Sequence, residues 1–122
     1  MVYFHGTLTE HLPLIARDGL IPRPLGDGTT GICLSSDYRF AAQWATNLAA
    51  RWAGGVLVYD PHTVLRVDVP HGVAIDPDPN LPGEDRSVVV RQRIAPTRIK
   101  ALRGTALWSA ARRWVSLSKP AP

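Results

Sequence analysis

The sequence predicts an α+β domain with a mainly antiparallel sheet. Two segments with helical periodicity lie in the first half of the chain, and short β-branched runs cluster after them. At 122 residues the chain fits one domain, 1–122, long enough to bury a core without disulfides or a structural metal. No internal repeat and no low-complexity tract interrupts it.

Val2-Tyr3-Phe4 is a short apolar run and predicts the first strand. Thr7-Leu8-Thr9-Glu10 has capping-box spacing and predicts a helix start, with Leu12, Ile15 and Ala16 on one face. Gly19 stands where a helix ends in a left-handed residue, and Pro22 and Pro24 forbid its continuation. Residues 25–31 are glycine-rich and predict a loop. Ile32-Cys33-Leu34 reads as a second strand, after which Ser36 or Asp37 can cap a helix. That helix carries Phe40, Ala41, Trp44, Ala45, Leu48, Ala49 and Trp52 at spacings of three and four, and Gly54-Gly55 is expected to end it.

Val56-Leu57-Val58-Tyr59 and Val64-Leu65-Arg66-Val67-Asp68-Val69 read as strands, the second with one wet face. Residues 76–83 hold three prolines, an asparagine and a glycine and predict a loop. Val88-Val89-Val90 predicts a further strand, which residues 94–102 extend past Pro96. Residues 105–115 predict a last helix with Leu107, Ala111, Trp114 and Val115 inward.

Composition narrows the function classes. Hydrophobic residues make up 45% and charged residues 20%, which excludes a disordered chain. No apolar run is long enough for a membrane span, and no basic region followed by an apolar stretch opens the chain. The single Cys33 forms no internal disulfide framework, so a cytoplasmic setting is expected. His5, His11, His62 and His71 lack paired metal-ligand spacing, and no Walker loop or Rossmann fingerprint is present. Charge is lopsided. Residues 1–85 hold five basic against ten acidic side chains, and residues 86–122 hold nine basic and none acidic. Such a basic C-terminal third can face the phosphates of DNA or RNA, or serve as a solvated face.

The segment Phe4-His5-Gly6-Thr7 leaves a strand and enters a helix. There the glycine admits a ligand close to the backbone, and a neutral imidazole offers one donor and one acceptor. The chain resembles the diphtheria-toxin-like branch of the ADP-ribosyltransferases. That branch includes poly(ADP-ribose) polymerases, rifampin ADP-ribosyltransferases and DNA-modifying toxins, and the resemblance extends to RNA 2′-phosphotransferases. It rests on four elements across most of residues 2–102. They are Tyr3-Phe4-His5-Gly6-Thr7, Ile15-Ala16-Arg17-Asp18-Gly19-Leu20, Gly31-Ile32-Cys33-Leu34-Ser35-Ser36 followed by Ala41-Ala42-Gln43-Trp44-Ala45, and Ile94-Ala95-Pro96-Thr97-Arg98-Ile99.

The resemblance implies a small ADP-ribosyltransferase-like fold, with a split antiparallel sheet and two to three helices. It implies NAD as substrate, transfer of ADP-ribose to an acceptor and release of nicotinamide. On its pattern His5 holds the nicotinamide ribose, Gly6 binds the carboxamide through its backbone, and Thr7 adjoins them. Trp44, or Tyr38 nearby, matches the ring that stacks on nicotinamide, although Trp44 also lies in the apolar stripe of its helix. Cys33 stands where a tyrosine is usual. Ser35 and Ser36 either bond the ribose or cap the helix. The position of the usual catalytic glutamate falls at about Ser87, with Glu84 and Asp85 just before it as candidate acids. Asp76 and Asp78 are further candidates, because Asp78-Pro79-Asn80-Leu81 resembles a stretch of the rifampin-modifying enzymes. Each of the four acids reads equally as a solvated loop residue. Two other readings stay open. An RNA 2′-phosphotransferase needs no glutamate and favours arginines, and a non-catalytic module on this fold would bind nucleic acid or protein.

Overall fold

The computed structural model describes residues 1–102; the helix expected at residues 105–115 lies outside them. The described chain runs β1 (Val2–Leu8), a 3-10 turn, α1 (Leu12–Asp18), β2 (Arg23–Pro24), β3 (Thr30–Ser35) and α2 (Tyr38–Ala49). It continues through β4 (Ala50–Ala53), β5 (Val56–Tyr59), β6 (His62–Asp68), β7 (Ile75–Pro77), β8 (Ser87–Val90), a second 3-10 turn and β9 (Ile99–Ala101). The main sheet has the order β7-β8-β3-β1-β6-β9, with β2 added to β3, and β4-β5 form a separate pair. Every pairing is antiparallel. The α+β class with a mainly antiparallel sheet is therefore the one that the sequence predicts.

The two helices cover opposite faces of the sheet. Leu12, Ile15 and Ala16 of α1 join Leu65, Val67, Val90 and Ile94 in the hydrophobic core. Leu65 pairs with His5, whereas Gly6 pairs with Val64, so Gly6 lies on the other face. There a Cβ on Gly6 would collide with the Ala41 carbonyl and stand 2.9 Å from Ala45 Cβ. Glycine thus lets α2 settle directly on β1. The helix buries Ala41, Ala45 and Ala49, one small residue per turn, against that strand.

Four expectations are corrected. Residues 94–102 do not extend β8, because a 3-10 turn at Pro96–Arg98 intervenes and β9 pairs with β6 at the far edge of the sheet. The capping box does not form, because β1 stays paired with β6 through Leu8. The helix opens later, at Leu12, with Pro13 in its first turn and no side-chain cap. Next, α2 stops at Ala49 instead of running to Trp52. Residues 50–53 pair with residues 56–59, and Gly54-Gly55 is the hairpin turn between them, with φ of +57° and +80°. A two-residue turn with positive φ at both positions suits the twist of a hairpin, so strand pairing overrides the helical period. Finally, the large residues of the stripe are not core. Trp44 is 43% exposed, Leu48 50% and Trp52 73%.

Candidate active site

The sheet is split between β1 and β3. Seven consecutive residue pairs join β1 to β6, but one pair, Phe4 with Ser35, joins β1 to β3. The backbone directions follow from bonds at the strand ends. Val69 N–H donates to the Met1 carbonyl at 2.8 Å, and Thr9 N–H to the Pro61 carbonyl at 2.9 Å. Both bonds continue the β1–β6 register. Odd-numbered residues of β1 therefore turn their peptide groups toward β6, and even-numbered ones turn theirs toward β3. On the other side, Ser36 N–H donates to the Arg86 carbonyl at 3.2 Å. By the same rule Cys33 and Ser35 face β1.

A continued ladder would bring Gly6 opposite Cys33. Instead the Cys33 carbonyl accepts from His5 Nδ1 at 2.8 Å. Because a carbonyl cannot donate, the proton sits on Nδ1, and Nε2 is the acceptor. The N–H and C=O of Gly6 therefore face the split, beyond the one residue pair that joins β1 to β3. His5 itself lies on the core face with Leu65. Burial pulls its pKa below the usual value, opposed by the bond to Cys33 and helped by the nearby His11, so the ring is neutral.

A shallow cavity, about half open to solvent, lies at this split. Phe4, Gly6, Cys33 and Ser35 line its sheet side, Phe40, Ala41 and Trp44 its α2 side, and Asp78 and Ser87 its far end. Asp78 is 5% exposed and Ser87 4%. Ser87 Oγ donates to Asp78 Oδ2 at 2.7 Å, and Asn80 N–H donates to Asp78 Oδ1 at 2.9 Å. The β7–β8 loop is anchored in turn by Asn80 Nδ2, which donates to the Leu25 carbonyl at 2.8 Å. Burial, and secondarily the Asp78 charge, push the Cys33 thiol up, so this wall is a protonated thiol rather than a nucleophile.

The residues singled out from the sequence divide into two groups. Gly6, Ser35, Trp44 and Asp78 meet at the cavity. Ser35 Oγ is committed locally, donating to the Asp37 carbonyl at 2.9 Å and accepting from Asp37 N–H at 3.0 Å. The helix cap is Asp37, whose carboxylate accepts from the N–H groups of Arg39 and Phe40. His5, Thr7, Ser36, Tyr38, Glu84, Asp85 and Asp76 are not among the lining residues. Thr7 is buried in β1, and its hydroxyl reaches the Leu8 carbonyl at 3.4 Å. Ser36 is exposed. Tyr38 packs edge-on against Phe4 with ring centroids 5.7 Å apart. Asp76 pairs with Arg91 at 3.1 Å.

Glu84 makes two 2.8 Å bonds to the Arg86 guanidinium, which with the Arg86 N–H bring its pKa down to about 2. Asp85 is exposed. The Arg86 guanidinium lies 5.0 Å from the centre of the Phe40 ring, which itself lines the cavity. Sequence reasoning missed Phe40 as a wall and Ser87 as the partner of Asp78. Phe40 stands one turn before Trp44, and that spacing was its signal. Among the described residues no group of His, Cys, Asp and Glu could hold a metal ion, and no helix is long and apolar enough to cross a membrane. No family model, curated protein or solved structure matches the chain significantly, so the functional assignment rests on this geometry.

Proposed function

We propose that the chain is an NAD-dependent ADP-ribosyltransferase that seats the nicotinamide of NAD in the cleft between β1, β3 and α2. One observation carries the reading. The Gly6 peptide faces the split beyond the single β1–β3 pair, with its donor and acceptor directed at the gap that the cavity occupies. A primary carboxamide presents the complementary acceptor and donor at the same spacing, as a neighbouring strand would. Nicotinamide carries such a group. Its flat ring would lie at the open mouth of the cavity, against the Trp44 and Phe40 side chains and beside the small Cys33 and Ala41. This is the arrangement that the resemblance to ADP-ribosyltransferases implies for Gly6 and Trp44.

Asp78 then takes the place of the glutamate expected near Ser87. Ser87 holds one carboxylate oxygen and Asn80 N–H the other, and each oxygen keeps a further acceptor site. As the bond between the ribose carbon and nicotinamide nitrogen breaks, nicotinamide leaves with the electron pair. Positive charge builds on the sugar, and a fixed carboxylate in a partly dry site stabilises it. An acceptor nucleophile then bonds to that carbon and loses its proton. His5 acts from behind the cleft. By occupying the Cys33 carbonyl, it keeps the Gly6 edge open.

The carboxamide contact is tested by calorimetry with NAD and with deamido-NAD, in which a carboxylate replaces the carboxamide. Deamido-NAD lacks the N–H donor, so its affinity is expected to fall at least about tenfold. Equal affinity for the two, or no binding of NAD, sinks the reading.

A further inference from the structure

We propose that Arg66 and Lys100 form a phosphate-binding platform for a single-stranded nucleic acid, on the sheet face that carries α2 and outside the cleft. The proposal does not depend on NAD chemistry. The register of the sheet places Phe4 opposite Arg66 and Arg66 opposite Lys100. Residues paired in this way project from the same face, so the two cations stand side by side on adjacent strands, about 4.8 Å apart at the backbone. Like charges directly opposite each other destabilise a sheet. An acid between them would relieve that repulsion, and none is supplied. Both side chains are exposed, and neither makes a hydrogen bond or ion pair among the described residues.

Arg23 and Arg39 are likewise exposed and unpaired among the described residues, but neither stands opposite a second cation in the sheet register. Arg17, Arg51, Arg86 and Arg91 each hold a carboxylate. The nearest acid on the face, Asp68, is committed to the Met1 ammonium at 3.3 Å and to Arg98 at 3.5 Å. The charge also continues along the sequence. Residues 103–122 begin three positions after Lys100 in the sequence and contain Arg103, Arg112, Arg113 and Lys119 with no acidic residue. The described residues, by contrast, hold ten basic and ten acidic side chains. An exposed, repelling cation pair that adjoins an uncompensated basic segment fits a polyanion with regularly spaced phosphates.

The test uses the full chain and a fluorescein-labelled single-stranded DNA of about 20 nucleotides, followed by anisotropy over a range of salt. Two phosphate contacts on a single strand contribute about 1.4 to the slope of log affinity against log salt. The Arg66→Gln/Lys100→Gln variant is expected to bind at least about tenfold more weakly at low salt, with the slope reduced by about that amount. The control is Arg23→Gln, an exposed arginine on β2, and it should keep wild-type affinity and slope. Wild-type behaviour of the double variant overturns the proposal. So does a loss in the Arg23 variant of about half that size in log affinity, which would mean net charge alone, and so does the absence of binding by the wild-type chain.

Discussion

A buried carboxylate needs partners, and Asp78 has them in Ser87 and Asn80. Glu84, six residues later, is held by Arg86 outside the cavity lining. The sequence left the choice among four acids open, because the order of loop residues does not reveal which one folds inward. Pairing with the strand that begins at Ser87 decides it. Gly6 and Trp44 were singled out through the resemblance, and the fold brings both to the cavity. His5 yields a separate prediction. Burial holds its pKa below the usual value, so as the pH falls below about 6.5 the unfolded chain takes up a proton before the folded one does. Stability is therefore full above about pH 6.5 and falls toward the lower folded value. The urea midpoint should drop between about pH 7 and about pH 5. A His5→Gln variant should lose the part of that drop owed to His5. An unchanged profile in the variant would contradict a buried, neutral imidazole.

At the scale of elements, periodicity located α2 but misread its burial. Leu48 and Trp52 continue the helical spacing, yet the buried face is the alanine row, because Gly6 draws the helix close to β1. The stripe beyond Ala49 belongs to the β4–β5 hairpin, and only the pairing across Gly54-Gly55 reveals that. The stability of variants separates the two pictures. Trp52→Ala removes a side chain that is 73% exposed and should shift the unfolding free energy by less than about 0.5–1 kcal/mol. Leu65→Ala empties a fully buried position and should cost about 2–5 kcal/mol. A cost of several kcal/mol for Trp52→Ala would restore the core helix that the spacing first predicts.

At the scale of the whole molecule, the fold class was legible from two helical segments followed by short strands. The strand order was not, since β2 and β7 have two and three residues and gain their partners only from the assembled sheet. The split between β1 and β3 was equally hidden, because no local pattern says where a ladder stops. Yet that split shapes the cavity, with Gly6 facing it and α2 along one side. If this gap turns over NAD with Asp78 as its acid, nicotinamide release from NAD by the wild-type chain, Asp78→Asn and Glu84→Gln is the most direct test. Release is expected from the wild type, with a loss of about 100-fold or more in Asp78→Asn and near wild-type release in Glu84→Gln. Full release by Asp78→Asn, or collapse in Glu84→Gln alone, would contradict that role for Asp78.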